Sequence, residues 1–308
     1  MQLSISNEAV MRKSSDKQQP APDGRQATWQ GMVSARLRAK FRAWNRNRKK
    51  LQKLNKSDVV LLRFPKSGVT WLRVMITNVY RGSLGAAGTE IVGRSAFHAE
   101  HKGVPNVFVC MDNLGLAKAE LEAKLANKKV ILLLRDPRDV VISRYFSNAK
   151  RNTAVERALI GVPETVEADG PYQFVINPDF GISRIIEFMN YWFAAVQRHP
   201  SALIVRYEDL RRDTFAAFSP VMRLLMPEVS DEEIRKAIAL ADFDRMKAME
   251  ASGSFGLDIL RPGNEGDTNS FKVRRGKVGG YADYLTEEQK AHVDRIVAET
   301  LDPGIGYA

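Results

Sequence analysis

Four short aliphatic runs, each delivered into a polar or charged loop, constrain the fold of this chain most. They lie within Asp58–Phe64, Val107–Met111, Val130–Leu134 and Ala202–Tyr207. Each is strand-length, and Val130–Leu134 is aliphatic throughout, so these runs read as buried strands. The stretches between them repeat apolar residues at helical spacing. Val69–Arg81 carries Trp71, Val74, Met75 and Val79; Leu116–Asn127, a segment from Pro137, and Ile182–Arg198 follow the same rule. Further helices run to about Met249, and Thr286-Glu287-Glu288-Gln289 caps a last one ending near Leu301. Leu159–Phe180 reads as irregular because Gly161, Pro163, Gly170, Pro171 and Pro178 interrupt it. Strands without a polar face, alternating with helices, predict a single α/β domain with a mainly parallel central sheet flanked by helices. Ligands of such sheets bind beyond the carboxyl ends of the strands.

Charge divides the chain. The net charge is +11 over 308 residues, and the first 56 residues hold 14 basic groups against 3 acidic ones, so the remainder is neutral. Residues 1–56 are read as a basic tail followed by an amphipathic helix, and 57–308 as the globular domain. In the helix, over 30–54, Val33, Leu37, Phe41, Trp44, Leu51 and Leu54 share a face and the other face is basic. Two readings stay open: the stripe packs on the body, or the helix docks as a peripheral element on anionic lipid or a polyanion. One cysteine, Cys110, excludes an intramolecular disulfide and a thiolate zinc site. No signal-like apolar stretch or membrane span is present, so the expected location is cytoplasmic, with contact at the inner membrane surface as an option. No nucleic-acid partner is expected.

Two loops concentrate the chemistry. Phe64-Pro65-Lys66-Ser67-Gly68-Val69-Thr70-Trp71 leads from a strand into a helix. The free N–H groups of a first helical turn, with Ser67 and Thr70 hydroxyls, suit an anion, and Gly68 lets the backbone come close. The lysine precedes the glycine, the reverse of a Walker loop, so the nucleotide-hydrolase pattern is absent. Alone, the octapeptide also fits a plain turn. Arg135-Asp136-Pro137-Arg138-Asp139 ends another strand, with Ser143 two turns into the next helix, and a basic knot spans Lys272–Lys277. Arg135 and Ser143 could face one phosphate.

These three segments, in this order, resemble the sulfotransferase family that uses 3′-phosphoadenosine 5′-phosphosulfate, in its cytosolic form and as a bacterial member. Phe64–Trp71 is similar to the family's P-loop-like 5′-phosphosulfate loop, Arg135–Ser143 to its 3′-phosphate element, and Arg274-Arg275-Gly276-Lys277-Val278-Gly279-Gly280-Tyr281 to its C-terminal Arg-Lys-Gly-x-x-Gly-Asp-Trp motif. The resemblance implies that Lys66 bridges the sulfuryl group and the leaving phosphate, and that Ser67, Gly68, Val69 and Thr70 hold the 5′-phosphosulfate. It places Trp71 against the adenine and Arg135, Ser143, Arg274, Arg275 and Gly276 at the 3′-phosphate. Tyr207 and Phe243 match adenine contacts, with an ordinary core role an equal reading for both. The implied reaction is in-line sulfuryl transfer to a hydroxyl or amine of a small molecule, lipid or glycan, releasing the 3′,5′-bisphosphate (PAP), with no metal.

The family's catalytic histidine has no counterpart here. Its position falls at about Met111 or Asp112, so Asp112 is the first candidate base, with a helix cap as its other reading. His98 and His101 are the remaining candidates. Gly280-Tyr281 stands where the family has Asp-Trp, Ala282 where it has lysine, and Val69 where it has threonine. A small-molecule kinase and a donor-binding or membrane-tethering protein without catalysis are the rival readings.

Overall fold

The computed structural model describes residues 44–308 except 86–89, 112–113, 254–263, 265 and 308. Four strands, β1 (Val59–Arg63), β2 (Val107–Cys110), β3 (Lys129–Leu134) and β4 (Ala202–Arg206), form one sheet in the order β2-β1-β3-β4. All three pairings are parallel, with Val59 opposite Val107 and Lys129, and Val130 opposite Ala202. The strands are the four expected ones.

Parallel neighbours need crossovers, and helices supply them on both faces. The principal ones are α1 (Val69–Leu84), α2 (Lys118–Leu125), α3 (Pro137–Lys150), α4 (Val166–Ile176), α5 (Ile182–Gln197), α6 (Tyr207–Arg212), α7 (Thr214–Leu225), α8 (Asp231–Leu240), α9 (Phe243–Ala251) and α10 (Glu287–Thr300). Strand periodicity sorts the sheet's side chains between two cores. Val60, Leu62, Val130, Leu132 and Leu134 pack with α2, α3, α5 and α10. Val59, Leu61, Ile131 and Leu133 pack with α1, α7 and α8. Both faces being covered explains why these strands lack a polar side.

Local signals fix the helix starts. Pro137 opens α3 behind Asp136, whose carboxylate accepts from Arg138 N at 2.9 Å. Thr286 and Gln289 form the expected capping box on α10. Within the span expected to be irregular, Val166–Ile176 is helical. Gly170 (φ 80°) breaks the helical path there, and Pro171 restarts it. The two residues read as breakers therefore join two helical pieces, because proline is tolerated in a first turn.

The chain divides into Met1–Arg48 and Lys49–Ala308. Of the expected amphipathic helix, residues 30–43 lie outside the described ones. Residues 44–55 are helical, Trp44 is exposed, and Arg48 lies over its ring at 5.5 Å. In the larger unit, Leu54 is fully buried and Leu51 packs against the core. No helix among the described residues is long and apolar enough to cross a membrane.

Candidate active site

The carboxyl ends of β1, β3 and β4 open onto one site. Lys66 (φ 80°) and Gly68 (φ 90°) both take left-handed backbone conformations between β1 and α1. Lysine disfavours that conformation, which costs about 1–3 kcal/mol at a non-glycine residue, so the surrounding structure holds the loop in this shape. Helical bonding begins only with Trp71 N to Gly68 O at 3.0 Å. Ser67 N turns back to Phe64 O at 3.4 Å, and the N–H groups of Val69 and Thr70 have no backbone partner among the described residues. Ser67 and Thr70 are buried beside them.

Gly68 is obligatory for a second reason. A Cβ there would stand 2.5 Å from Cδ2 of Tyr207, the first residue after β4. The Tyr207 ring thus lies directly on the loop backbone. On its other partners, Tyr207 meets Trp71 edge-on at 6.0 Å, carries the Arg135 guanidinium at 4.3 Å, and its hydroxyl donates to Gly276 O at 3.4 Å. Arg135, one residue past β3, also donates to Lys66 O (3.4 Å) and Lys277 O (3.3 Å). Its Nε is buried without a hydrogen-bond partner among the described residues.

Asp139 ties the third segment in. Almost fully buried on α3, it pairs with Arg135 at 3.4 Å and accepts from Gly279 N (3.0 Å) and Tyr281 N (2.9 Å). Burial raises its pKa, while Arg135 and the two amides pull it down. Gly276 (φ 61°) meets a second ring, since a Cβ there would lie 2.5 Å from Phe243 Cε2. Trp71 Nε1 donates to Ala241 O at 2.8 Å, and Arg211 covers both Trp71 (5.7 Å) and Phe243 (5.5 Å). Arg274 lies over Phe146 at 4.3 Å and donates to Tyr284 Oη. Arg275 is exposed and pairs with Asp283 at 2.8 Å.

The loops named from the sequence therefore converge, together with Trp71, Tyr207 and Phe243. Ser143 is half-buried on α3 and shares no hydrogen bond with Arg135. Asp112 lies outside the described residues. His98 and His101 are displaced from the site. His98 Nε2 accepts from Val107 N and Gly93 N, each at 3.3 Å, and Val107 begins β2 opposite Val59. His101 stacks on Phe97 at 4.5 Å and bonds its carbonyl at 2.8 Å. Parallel strands put that amino-terminal edge a strand's length from Lys66, so neither histidine faces it.

Charge around Lys66 has two further sources that the motifs did not reveal. Glu250, fully buried at the end of α9, accepts from Lys272 N (2.6 Å) and Val273 N (2.7 Å) and pairs with Arg151 at 3.5 Å. Burial of the Lys66 ammonium, then Arg151, Arg135 and Arg274, lower its pKa to about 7 against the opposing pull of Glu250. Lys272 falls to about 6, through burial and then Lys66, Arg151, Arg63 and Arg73. Such crowding of like charge makes the surroundings of Lys66 electropositive. A buried acid at the end of an exposed helix, 22 residues before its amide partners, has no signature in the sequence. Among the described residues no three His, Cys, Asp or Glu side chains cluster as metal ligands.

The chain is similar in sequence and fold to known proteins. The sulfotransferase domain family matches residues 56–303. Cytosolic sulfotransferase 12 of Arabidopsis thaliana is 22% identical over 262 residues, covering 79% of this chain and 77% of that protein. The rabbit (Oryctolagus cuniculus) amine sulfotransferase is 25% identical over 258 residues, 79% of this chain and 80% of that one. In three dimensions the fold resembles the crystal structure of mouse sulfotransferase SULT7A1 complexed with PAP, with a TM-score of 0.56 and 20% identity over 82% of this chain and 89% of that one. The chain belongs to the family its three motifs resemble, the sulfotransferases that draw on 3′-phosphoadenosine 5′-phosphosulfate.

Proposed function

We propose that the protein transfers a sulfuryl group from 3′-phosphoadenosine 5′-phosphosulfate to a hydroxyl or amine, with Lys66 as the central catalytic residue. The observation that carries this reading is the meeting of the three segments at one sheet edge, where Arg135 donates to Lys66 O (3.4 Å) and Tyr207 to Gly276 O (3.4 Å). The residues fit the donor. Arg135 keeps at the site a buried Nε without a hydrogen-bond partner among the described residues, and cations outnumber acids around it. The donor, when bound, supplies the sulfuryl group and a good leaving group, the bisphosphate.

The protein's own residues then have separable roles. The first-turn N–H groups of Val69 and Thr70, with the Ser67 and Thr70 hydroxyls, hold the 5′ end. Arg135, Arg274, Arg275 and Gly276 take the 3′-phosphate, with Ser143 the least supported member. Trp71 and Phe243, fixed by Ala241 and Gly276, flank the base, and Tyr207 backs the loop. Lys66 meets the negative charge that builds on the bridging oxygen as the sulfur–oxygen bond breaks. The acceptor's proton must pass to a base as its new bond to sulfur forms, and Asp112 keeps that assignment. No step in this scheme requires a metal.

The acceptor is narrower in two of the relatives' names, which specify a flavonol and a 3-alpha-hydroxysteroid as theirs. By that analogy a small hydroxylated molecule is the acceptor class here. Phe174 and Phe180 border a cavity of about 360 Å³, and Arg144 bridges Phe174 (5.9 Å) to Phe64 (5.1 Å) beside the Lys66 loop. The 159–180 segment lines that cavity with apolar side chains and with Asp169, Gln173 and Asn177. A cytoplasmic setting agrees with the cytosolic relatives and with buried Cys110. The boundary near residue 57 and a peripheral contact through 30–54 belong to the same reading.

Calorimetry decides the donor. PAP should bind the wild type, ATP–Mg²⁺ should not compete, and Arg135→Ala should weaken PAP by about 10- to 100-fold, the range for a charge-assisted phosphate contact. Equal PAP affinity in Arg135→Ala would remove the 3′-phosphate assignment. Preference for ATP–Mg²⁺ would favour a kinase.

A further inference from the structure

Two residues of the donor site lie just past the end of the β3–β4 ladder. That ladder closes with Leu134 opposite Arg206. Arg135 and Tyr207 come next on each chain, and the guanidinium lies 4.3 Å from the ring centroid. Beyond the ladder, strand pairing no longer sets the separation of the two chains. One residue further on, a side chain takes over that task. Glu208 Oε1 accepts from Asp136 N at 3.0 Å, so the carboxylate ties the first turn of α6 to the cap of α3.

The other Glu208 oxygen is held from a distant part of the chain. After α10, Pro303–Ile305 form a single 3₁₀ turn capped by Asp302, with Ile305 fully buried in the core. Gly306 (φ 84°) follows, and the Tyr307 hydroxyl donates to Glu208 Oε2. Two more bonds fix this segment to the same two strand ends. Arg206 Nε donates to Ile305 O at 3.0 Å. Arg138 grips Asp136 through Nε (2.9 Å) and Nη2 (2.8 Å), and Nη2 also donates to Tyr307 O at 3.0 Å. The segment thus reaches the chain neighbours of Arg135 and of Tyr207. Burial raises the Glu208 pKa, while the Tyr307 hydroxyl and the Asp136 N–H pull it down, and both carboxylate oxygens are committed to the bridge.

We propose that Glu208 and Tyr307 are positioning residues for the donor. The bridge from Tyr307 through Glu208 to Asp136 N holds Arg135 on the Tyr207 ring, where its guanidinium meets the 3′-phosphate. This role rests on the donor reading above. The 5′ loop meets the bridge through the Tyr207 ring, whereas Arg135 is peptide-bonded to Asp136. Loosening the bridge therefore costs the 3′-phosphate contact more than the 5′ contacts.

Calorimetry on full-length protein with PAP and with adenosine 5′-phosphate, which lacks only the 3′-phosphate, tests the bridge. Tyr307→Phe should weaken PAP about tenfold, the scale of one hydrogen bond left unmade at a buried acceptor, and adenosine 5′-phosphate by less than about twofold. Glu208→Ala cuts the bridge at its centre and should show the same selective loss. Glu208→Gln can accept from Asp136 N and donate to the Tyr307 hydroxyl, so it should recover most of the PAP affinity. Equal PAP affinity in wild type and Tyr307→Phe, equal losses in Glu208→Ala and Glu208→Gln, or parallel losses for the two ligands would each overturn the proposal. A wild type that binds both ligands equally would instead remove the 3′-phosphate reading beneath it.

Discussion

The two sides of Lys66 are built on different plans. Toward β3 and β4, each cation rests on a fixed support. Arg135 has the Tyr207 ring, two backbone carbonyls and Asp139, while Arg274 has Phe146 and Tyr284. Toward β2, Arg73 has one carbonyl, and Met111, just past the strand, is exposed. Rigid, pre-paired cations lower the entropic cost of gripping a ligand whose charges have fixed spacing. The contrast teaches that fixed support is concentrated on the side of Lys66 proposed to take the donor.

Substitution at the meeting point should have the largest effect. Lys66→Ala should slow transfer of labelled sulfate by about 10²- to 10³-fold, as for loss of one transition-state donor, with a smaller loss of PAP affinity. A normal transfer rate would end the catalytic assignment. Next comes the supported side alone. Gly68→Ala pushes a methyl group into Tyr207 and strains a left-handed backbone, and should destabilise the fold by about 1–3 kcal/mol in denaturant melts. PAP binding should fall with it. A variant that binds PAP normally would show that the Tyr207 platform is dispensable.

Proton linkage gives the smallest effect and reports the desolvated lysines directly. Lys66 at about 7 and Lys272 at about 6 lie below their unfolded value of 10.5, so the folded state binds fewer protons than the unfolded one between those limits. The resulting destabilisation is complete below pH 6 and is relieved as pH rises toward 10.5, so the ligand-free Tm should climb from pH 7 to pH 9. PAP requires the charged lysine and should therefore bind with proton uptake, its affinity falling over the same interval. Calorimetry in two buffers of different ionisation enthalpy counts those protons. No uptake at pH 8 would mean that Lys66 is solvated after all.

Much of this was legible in the sequence because it is local. Aliphatic runs without a polar face announced the sheet, and Lys66, Arg135 and Arg274-Arg275-Gly276 announced the anion. What escaped was relational. Nothing in the local pattern of Asp139 shows that it will bind amides 140 residues downstream, nor that Glu250 will meet Lys272 and Arg151. His98 looked available because the segment around it had no assignable fold, and sheet direction then carried it to the wrong edge. Gly170 and Pro171 looked like chain breakers, yet a glycine kink followed by proline can restart a helix.

Asp139 also bears on how this chain can change without losing its site. It holds the C-terminal loop through the N–H groups of Gly279 and Tyr281, which every residue but proline possesses. Gly280 and Ala282 can consequently stand where the family's motif has aspartate and lysine, while Tyr281, in the tryptophan position, still carries Arg138 on its ring (5.1 Å) and donates to Asp294 (3.1 Å). Much of the constraint has moved onto one buried carboxylate, so part of this loop's vulnerability sits on a helix far away in sequence.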